Sequence, residues 1–347
     1  MQQAPLDVLV LGGTGFLGPH MVRALLANGH EVTLFNRGRT NTHLFPEVEK
    51  LVGDRAGPLD ALRGRSWDVV IDNSGYYPEH VELSATALAD QAEHYIFTST
   101  TDVYRDYDTP GMTEGYPLGV LPDGEPHNPQ QWYGQLKVIC ERAVRDAFPE
   151  RNTVIRPTWV IGPGDTNHLW TYWAVRIHEG GEVLAPGRPE NPIQWIEVRD
   201  IADFVTLRAE RQDGGTFHLV APPMSMAEML YGIRGTTSVG VEFTWVDEDF
   251  LWDRGTRPWV EFPLWWPARN DYAEPVFGGI RGGEGSALLD GTRAWEAGLG
   301  VRPLADIAFD TVEWYSDAFG EWPDTGRPGL TRAREAELLA EWRALNG

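Results

Sequence analysis

The sequence predicts an α/β fold in which a doubly wound parallel sheet carries a smaller C-terminal domain. Between residues 7 and 98, short apolar, β-branched runs alternate with helical stretches. The runs are apolar at successive positions, as strands covered on both faces must be. Beyond Gly164 the alternation loosens into a stretch rich in Pro, Gly and Trp, which marks a second, less regular part. A chain of 347 residues is long enough to bury a core in each.

In chain order, Asp7 to Leu11 reads as the first strand, Val22 to Ala27 as part of the next helix, and Glu31 to Phe35 as the second strand. A short run ending at Val52 is a third, followed by Gly53-Asp54-Arg55. Trp67 to Ile71 and His94 to Thr98 are strands on either side of a helix from Val81 to Ala92. A helix from about Gln131 to Ala147 leads to a strand from Val154 to Ile161, which Gly162-Pro163-Gly164 ends. Trp170 to Trp173 opens a helix, Ile193 to Val198 reads as a strand, and Arg199 to Arg211 as a helix returning to the main sheet. From Pro222 to Gly285 the chain reads as an irregular lid or substrate domain whose crowded tryptophans mostly fill a core poor in regular elements. Thr331 to Leu345 is a charged amphipathic helix. The expected division is 1-162 for the sheet domain, completed by about 193-221, then 163-192 with 222-318 for the second domain, and 319-347 for a helical tail.

Composition narrows the function. A formal charge of -22 speaks against a nucleic-acid surface, which needs clustered Lys and Arg. The single cysteine, Cys140, allows no internal disulfide, and the N-terminus enters a strand with no room for a leader, so a reducing cytoplasm is expected. No apolar run approaches a bilayer span, so no membrane is expected. The nine histidines are scattered, so no metal site is expected.

The motifs point to hydride chemistry. Gly12, Gly15 and Gly18, with Thr14, Phe16 and Leu17 among them, follow the first strand and open a helix, where backbone amides can meet a pyrophosphate. The second strand ends in Asn36-Arg37-Gly38-Arg39, with no carboxylate for the ribose hydroxyls of NAD. Asn36 can still bond a ribose, and Arg37 or Arg39 can meet a 2′-phosphate, so the cofactor is NAD or NADP with a lean to NADP. The opposing reading leaves both arginines solvated or stacked on adenine beside NAD. Tyr133 and Lys137 lie one helical turn apart, so the ammonium is expected to lower the phenol pKa and make it a proton shuttle. Lys137 is one of only two lysines in the chain.

With the Phe97-Thr98-Ser99-Thr100-Thr101-Asp102-Val103-Tyr104 strand end and Arg156-Pro157 before Gly162-Pro163-Gly164, these motifs resemble the extended short-chain dehydrogenase/reductases, in particular the NAD-dependent epimerase/dehydratase group. The resemblance runs over about residues 6 to 315. It implies a Rossmann domain with a small C-terminal substrate domain, often paired into homodimers through the helix bearing Tyr133. It also implies that Thr100 holds the catalytic Ser/Thr place, that Tyr133 is the acid/base, and that Lys137 binds the nicotinamide ribose. Asp54, Arg55, Asn73, Ser74, Gly75, Thr98 and Pro157 fall where the family lines its cofactor. Asp102 stands where the related dehydratases place one of two acid/base carboxyls, with Thr101 in the other position. It is therefore either a second base or a residue that caps a turn or pairs with Arg105.

Two departures bear on the substrate. Trp159 replaces an Asn, and Ile193 an Arg, that nucleotide-sugar members use around the diphosphate. A diphosphate buried without cations is costly, although Arg188 or Arg269 can reach one from elsewhere. The expectation is a neutral polyhydroxylated small molecule, sugar-like or nucleoside-like, against Tyr76, Tyr77, Trp159 and Trp195. The sequence thus reads as an NAD(P)-dependent epimerase/dehydratase, with an NADPH-dependent ketone reductase or a non-catalytic binding member of the fold as alternatives.

Overall fold

The structure, a computed structural model, describes residues 4–267, 284–323 and 326–346. The first half runs β1 (Asp7–Leu11), α1 (Leu17–Ala27), β2 (Glu31–Asn36), β3 (Glu49–Val52), β4 (Trp67–Asp72), α2 (Pro78–Leu88), β5 (Ala92–Thr98), α3 (Pro129–Ala147) and β6 (Asn152–Pro157). The second half runs β7 (Val160–Ile161), α4 (Leu169–Glu179), β8 (Gly181–Pro186), β9 (Pro192–Ile193), β10 (Ile196–Glu197), α5 (Val198–Arg211), β11 (Gly215–Leu219), β12 (Met224–Ser225) and α6 (Met226–Arg234). It closes with β13 (Val241–Val246), α7 (Glu248–Asp253), α8 (Thr292–Glu296), α9 (Leu304–Phe319) and α10 (Arg332–Asn346).

The main sheet has seven parallel strands in the order β11-β6-β5-β4-β1-β2-β3. Successive apolar residues in β1 serve opposite faces: Val8 and Val10 pack with Met21 and Leu25 of α1 and Ile201 and Val205 of α5, while Leu9 and Leu11 pack with Val81 and Ala85 of α2 and Val144 of α3. Chain direction across the sheet reverses between β1 and β4, and such a reversal leaves a crevice at the carboxyl ends of the strands. The glycine turn after β1 and Asn73 after β4 both lie there.

Two expected strands break. Val154 to Ile161 splits into β6 and β7 because Pro157 has no amide to extend the ladder. Ile193 to Val198 splits into β9 and β10 around Gln194, whose buried amide donates to the Ala221 and Leu289 carbonyls and accepts from the Leu289 amide.

The stretch expected to be irregular holds β12, α6, β13 and α7, so that expectation is corrected. Met229, Leu230 and Ile233 of α6 are spaced to present one apolar face, and the Ser225–Glu228 capping box starts the helix. Trp259 and Trp265 are buried in the same core as Trp170, Trp173 and Trp195. The C-terminal helix α10 enters that core too, through Leu338 and Leu339. Its Glu335 accepts from Arg176 Nε at 2.8 Å and from the Leu184 amide at 3.0 Å, holding α10 onto α4 and β8.

Candidate functional site

A cavity of about 680 Å³ lies at the carboxyl ends of the strands, walled by the turn after β1, the loops after β2, β3 and β4, the end of β5, the face of α3 carrying Tyr133, and the segment from Pro157 to Leu169. Its glycines have separate roles. Gly12 has φ +92°, and a Cβ there would stand 2.7 Å from Ser74 Cβ. A Cβ at Gly18 would stand 2.5 Å from the Gly12 carbonyl oxygen, so only glycine lets α1 rest on the turn. A Cβ at Gly15 would meet nothing within 4 Å, and Gly15 lines the cavity. That combination is a tight turn with an open approach over a helix N-terminus, which fits a pyrophosphate.

At one end of the cavity Asn36 Oδ1 accepts from the Gly38 amide at 2.9 Å, shaping the loop after β2. Arg37 and Arg39 are exposed, line the cavity and form no ion pair among the described residues. Asp54 lines it as well. Arg55 reaches the wall, but its guanidinium is committed: Nη1 and Nη2 donate to the two oxygens of Asp72 at 2.6 and 2.7 Å, and further to Ser74 and Ser84. It ties the segment after β3 to the end of β4 and still lines the cavity.

At the other end stand Thr100, Asp102, Tyr133 and Lys137. Thr100 Oγ1 accepts from the Asp102 amide at 3.1 Å. Arg105 pairs with Asp106, and the Asp102 carboxylate accepts from the Tyr107 hydroxyl at 3.1 Å, so the Arg105 pairing is corrected. Burial raises the Asp102 pKa, opposed by hydrogen bonds from Tyr107 and Thr100. Lys137 is buried and donates to the Thr98 carbonyl at 2.7 Å. Its ammonium lies 4.8 Å from the Phe97 ring centroid, 5.2 Å from that of Tyr76 and 5.8 Å from that of Tyr133. Burial lowers the Lys137 pKa and pushes the Tyr133 phenol well above its ordinary value, with the charges of Tyr76 and Asp102 acting in the same direction. The expected lowering of the phenol by its neighbour is therefore corrected: desolvation outweighs a cation whose nearest oxygen is a carbonyl.

Thr14, Phe16, Leu17, Asn73, Ser74, Thr98, Pro157, Tyr76, Tyr77 and Trp159 also line the cavity. Three expected residues do not. Gly18 lies beneath the turn, and Gly75 packs where a Cβ would strike the Phe97 ring at 2.6 Å. Trp195 is buried in the second core, 5.2 Å from the Trp170 ring, because β9 and β10 turn it away from the crevice. Arg188 is not on the wall, and Arg269 lies outside the described residues.

Sequence reasoning missed Gly38, Thr40, His80, Thr158, Thr166 and Asn167, which line the cavity. Asp165 accepts from the amides of Asn167 and Leu169 at 2.8 and 3.1 Å, shaping the loop after Gly162-Pro163-Gly164. An Asp four residues before an apolar helical run was the available signal. Among the described residues no group of three or more His, Cys, Asp or Glu side chains is arranged to hold a metal, and no helix is long and apolar enough to cross a membrane.

The residues present fit a nicotinamide dinucleotide: an open cradle at Gly15 and, among the described residues, a buried Thr98 hydroxyl without a partner on the cavity wall and two arginines without an ion pair at the far end. Fold and site define a dinucleotide-binding protein of the doubly wound class. A profile of the NAD dependent epimerase/dehydratase family matches residues 8–75 and 78–219, and the chain belongs to that family. Similar curated proteins are the chloroplast stem-loop binding protein of 41 kDa b of Arabidopsis thaliana, 27% identical over 56% of this chain and 53% of that one, and the mouse decarboxylating sterol-4-alpha-carboxylate 3-dehydrogenase, 29% identical over 60% and 62%. The chain thus spans between half and two thirds of the length of these relatives. Among solved structures, the UDP-glucose 4-epimerase of Thermotoga maritima with UDP-glucose superimposes with a TM-score of 0.64 at 18% identity, over 90% of this chain and 99% of that one, a likeness of fold.

Proposed function

We propose that the protein is an NAD(P)-dependent epimerase/dehydratase-type enzyme that oxidises a secondary alcohol of a neutral, sugar-like or nucleoside-like molecule. The observation that carries this reading is the Asp102 carboxylate: it shares the cavity wall with Tyr133 and acts electrostatically on that phenol, while its side chain is held by hydroxyls rather than by a cation. A bound nicotinamide would supply the hydride acceptor. Tyr133 moves the proton at the alcohol oxygen, and Thr100 orients that oxygen. Lys137, anchored on Thr98, keeps N–H groups for ribose hydroxyls. Asp102 takes the proton from the carbon beside the oxidised one, where the carbonyl makes the C–H acidic. A β-hydroxyl then leaves as water, or the proton returns on the other face, and return of the hydride to the substrate would complete a dehydration or an epimerisation.

Among the described residues, the cations on the wall away from the Arg37 and Arg39 end are Arg55, paired with Asp72, and Lys137, whose ammonium donates to the Thr98 carbonyl and faces the cofactor ribose in this reading. This supports a neutral substrate. Arg37 and Arg39, without an ion pair among the described residues, support NADP, and with it the second reading, an NADPH-consuming ketone reductase. A cytoplasmic homodimer is part of the proposal, and light scattering tests its size.

The test is a mass-spectrometric screen of neutral sugars and nucleosides, with UDP- and dTDP-sugars alongside, in D2O. Wild type is expected to exchange or eliminate at a neutral substrate. Tyr133→Phe is expected to lower the rate by about 10²–10⁴, and Asp102→Asn to abolish deuterium uptake. Turnover confined to nucleotide sugars overturns the substrate class. Stoichiometric NADPH consumption selects the reductase, and full activity of Tyr133→Phe removes the phenol from the mechanism.

A further inference from the structure

Glu141 follows Lys137 by one turn of α3 and Tyr133 by two, so phenol, ammonium and carboxylate share one helix face. The Glu141 carboxylate is fully buried, which is costly without compensation. Burial opposes its ionisation, but Arg156 and Arg145 hold the carboxyl below its ordinary range. Arg156 donates Nε to Oε1 at 2.8 Å and Nη2 to Oε2 at 2.7 Å, and Arg145 donates to Oε2 at 3.0 Å.

The fourth bond has a different consequence. Ser99 Oγ donates to Glu141 Oε1 at 2.7 Å. Ser99 stands between Thr98, whose carbonyl receives Lys137, and Thr100 of the reaction centre. The strand end is therefore gripped twice from one face of α3, at successive residues. Arg156 continues the grip, because its Nη1 donates at 3.0 Å to the Tyr104 hydroxyl, which in turn bonds His218 of β11.

We infer that Glu141 is a positioning residue: through Ser99 it fixes the strand end bearing Thr98 and Thr100 at the height on α3 where Lys137 and Tyr133 project, and through Arg156 it ties that point to β6. An ion pair that merely filled the core would need no bond to the residue beside Thr100. This inference rests on the dinucleotide reading for its meaning in catalysis, and one arm of its test is independent of any nucleotide.

Ser99→Ala removes the link and keeps the ion pair. Glu141→Gln removes the charge, and if it does not fold, Ser99→Ala carries the test. Thr153→Ala removes a hydroxyl equally buried at the other end of β6, where it donates to the Asp213 carbonyl, and is the control. With only Lys50 and Lys137 in the chain, protein labelled with carbon-13 at lysine Cε gives two signals, assigned by Lys50→Arg. Without nucleotide, Ser99→Ala is expected to move the Lys137 signal and its titration, and Thr153→Ala to leave both at the wild-type position. The Kd for whichever of NADH and NADPH the wild type binds is expected to rise about five- to tenfold in Ser99→Ala, the loss of one hydrogen bond. ADP or its 2′-phosphate, which lack both nicotinamide and the ribose that carries it, should bind as to wild type. An unmoved Lys137 signal, or equal losses for the two kinds of nucleotide, overturns the inference. Wild-type protein that binds no dinucleotide overturns the reading of the cavity instead, and the lysine spectrum still decides whether the grip exists.

Discussion

Alanine at Gly15 and alanine at Gly18, three residues apart in one turn, should separate binding from folding. A Cβ at Gly18 stands 2.5 Å from the Gly12 carbonyl oxygen and 2.6 Å from the Gly13 carbonyl carbon, main-chain atoms that cannot swing aside. Carbon atoms pack at about 3.5–4.0 Å, so α1 must retreat from the turn by roughly 1 Å. Overpacking of this kind costs about 1–3 kcal/mol, and more where backbone is struck, so Gly18→Ala is expected to lose about 3 kcal/mol of stability. Gly15 lies outside the left-handed region and a Cβ there meets nothing within 4 Å. Gly15→Ala should keep its stability or gain about 0.4–1 kcal/mol from a less flexible unfolded chain. Its methyl group enters the space over the α1 N-terminus, so NADH and NADPH should bind at least about tenfold more weakly, equivalent to 1.4 kcal/mol. Urea unfolding followed by tryptophan fluorescence and titration with both nucleotides read the two effects. Wild-type nucleotide affinity in Gly15→Ala would falsify the cradle, and wild-type stability in Gly18→Ala would refute the close seating of α1.

Arg37→Ala with Arg39→Ala should weaken NADPH binding by about 10- to 100-fold, as loss of charge-assisted bonds to a phosphate does, and leave NADH nearly unchanged; equal losses for both would count against a 2′-phosphate site. His94, buried beside Thr153, has its pKa lowered by burial from 6.5 to about 4, so its stabilising effect is complete above pH 6.5 and is lost as the pH falls through 4. A shift of that size corresponds to about 3 kcal/mol, and His94→Gln should flatten the fall in unfolding free energy between pH 7 and 4. Leu338→Ala, at a fully buried position of α10, should cost about 2–5 kcal/mol; a cost below about 0.5 kcal/mol in urea unfolding would show that α10 is a loose appendage.

Much of the sheet domain was legible because its signals are local. The apolar runs of β1, β2, β4 and β5 allow no amphipathic alternative, and Gly12, Gly15 and Gly18 report their backbone demands directly. The second domain was legible only in part. The capping box of α6 was present in Ser225 to Glu228, but the surrounding Trp and Pro content hid it. Trp195 and Trp159 look alike in sequence, and the break at Gln194 buries one while the other meets the cavity. Arg55 reads as a free cation until Asp72, seventeen residues away, takes both of its terminal nitrogens.

By itself the sequence determined the order of strands and helices in the first half of the chain, the glycine turn and the helical spacing of Tyr133 and Lys137, since each depends on neighbours within a few positions. The tertiary structure decided which of the candidate polar groups remain available. Ion pairing occupied both terminal nitrogens of Arg55, packing removed Trp195, and burial reversed the expected direction of the Tyr133 pKa. Desolvation and charge pairing are set by residues distant in the chain, and no local pattern encodes them.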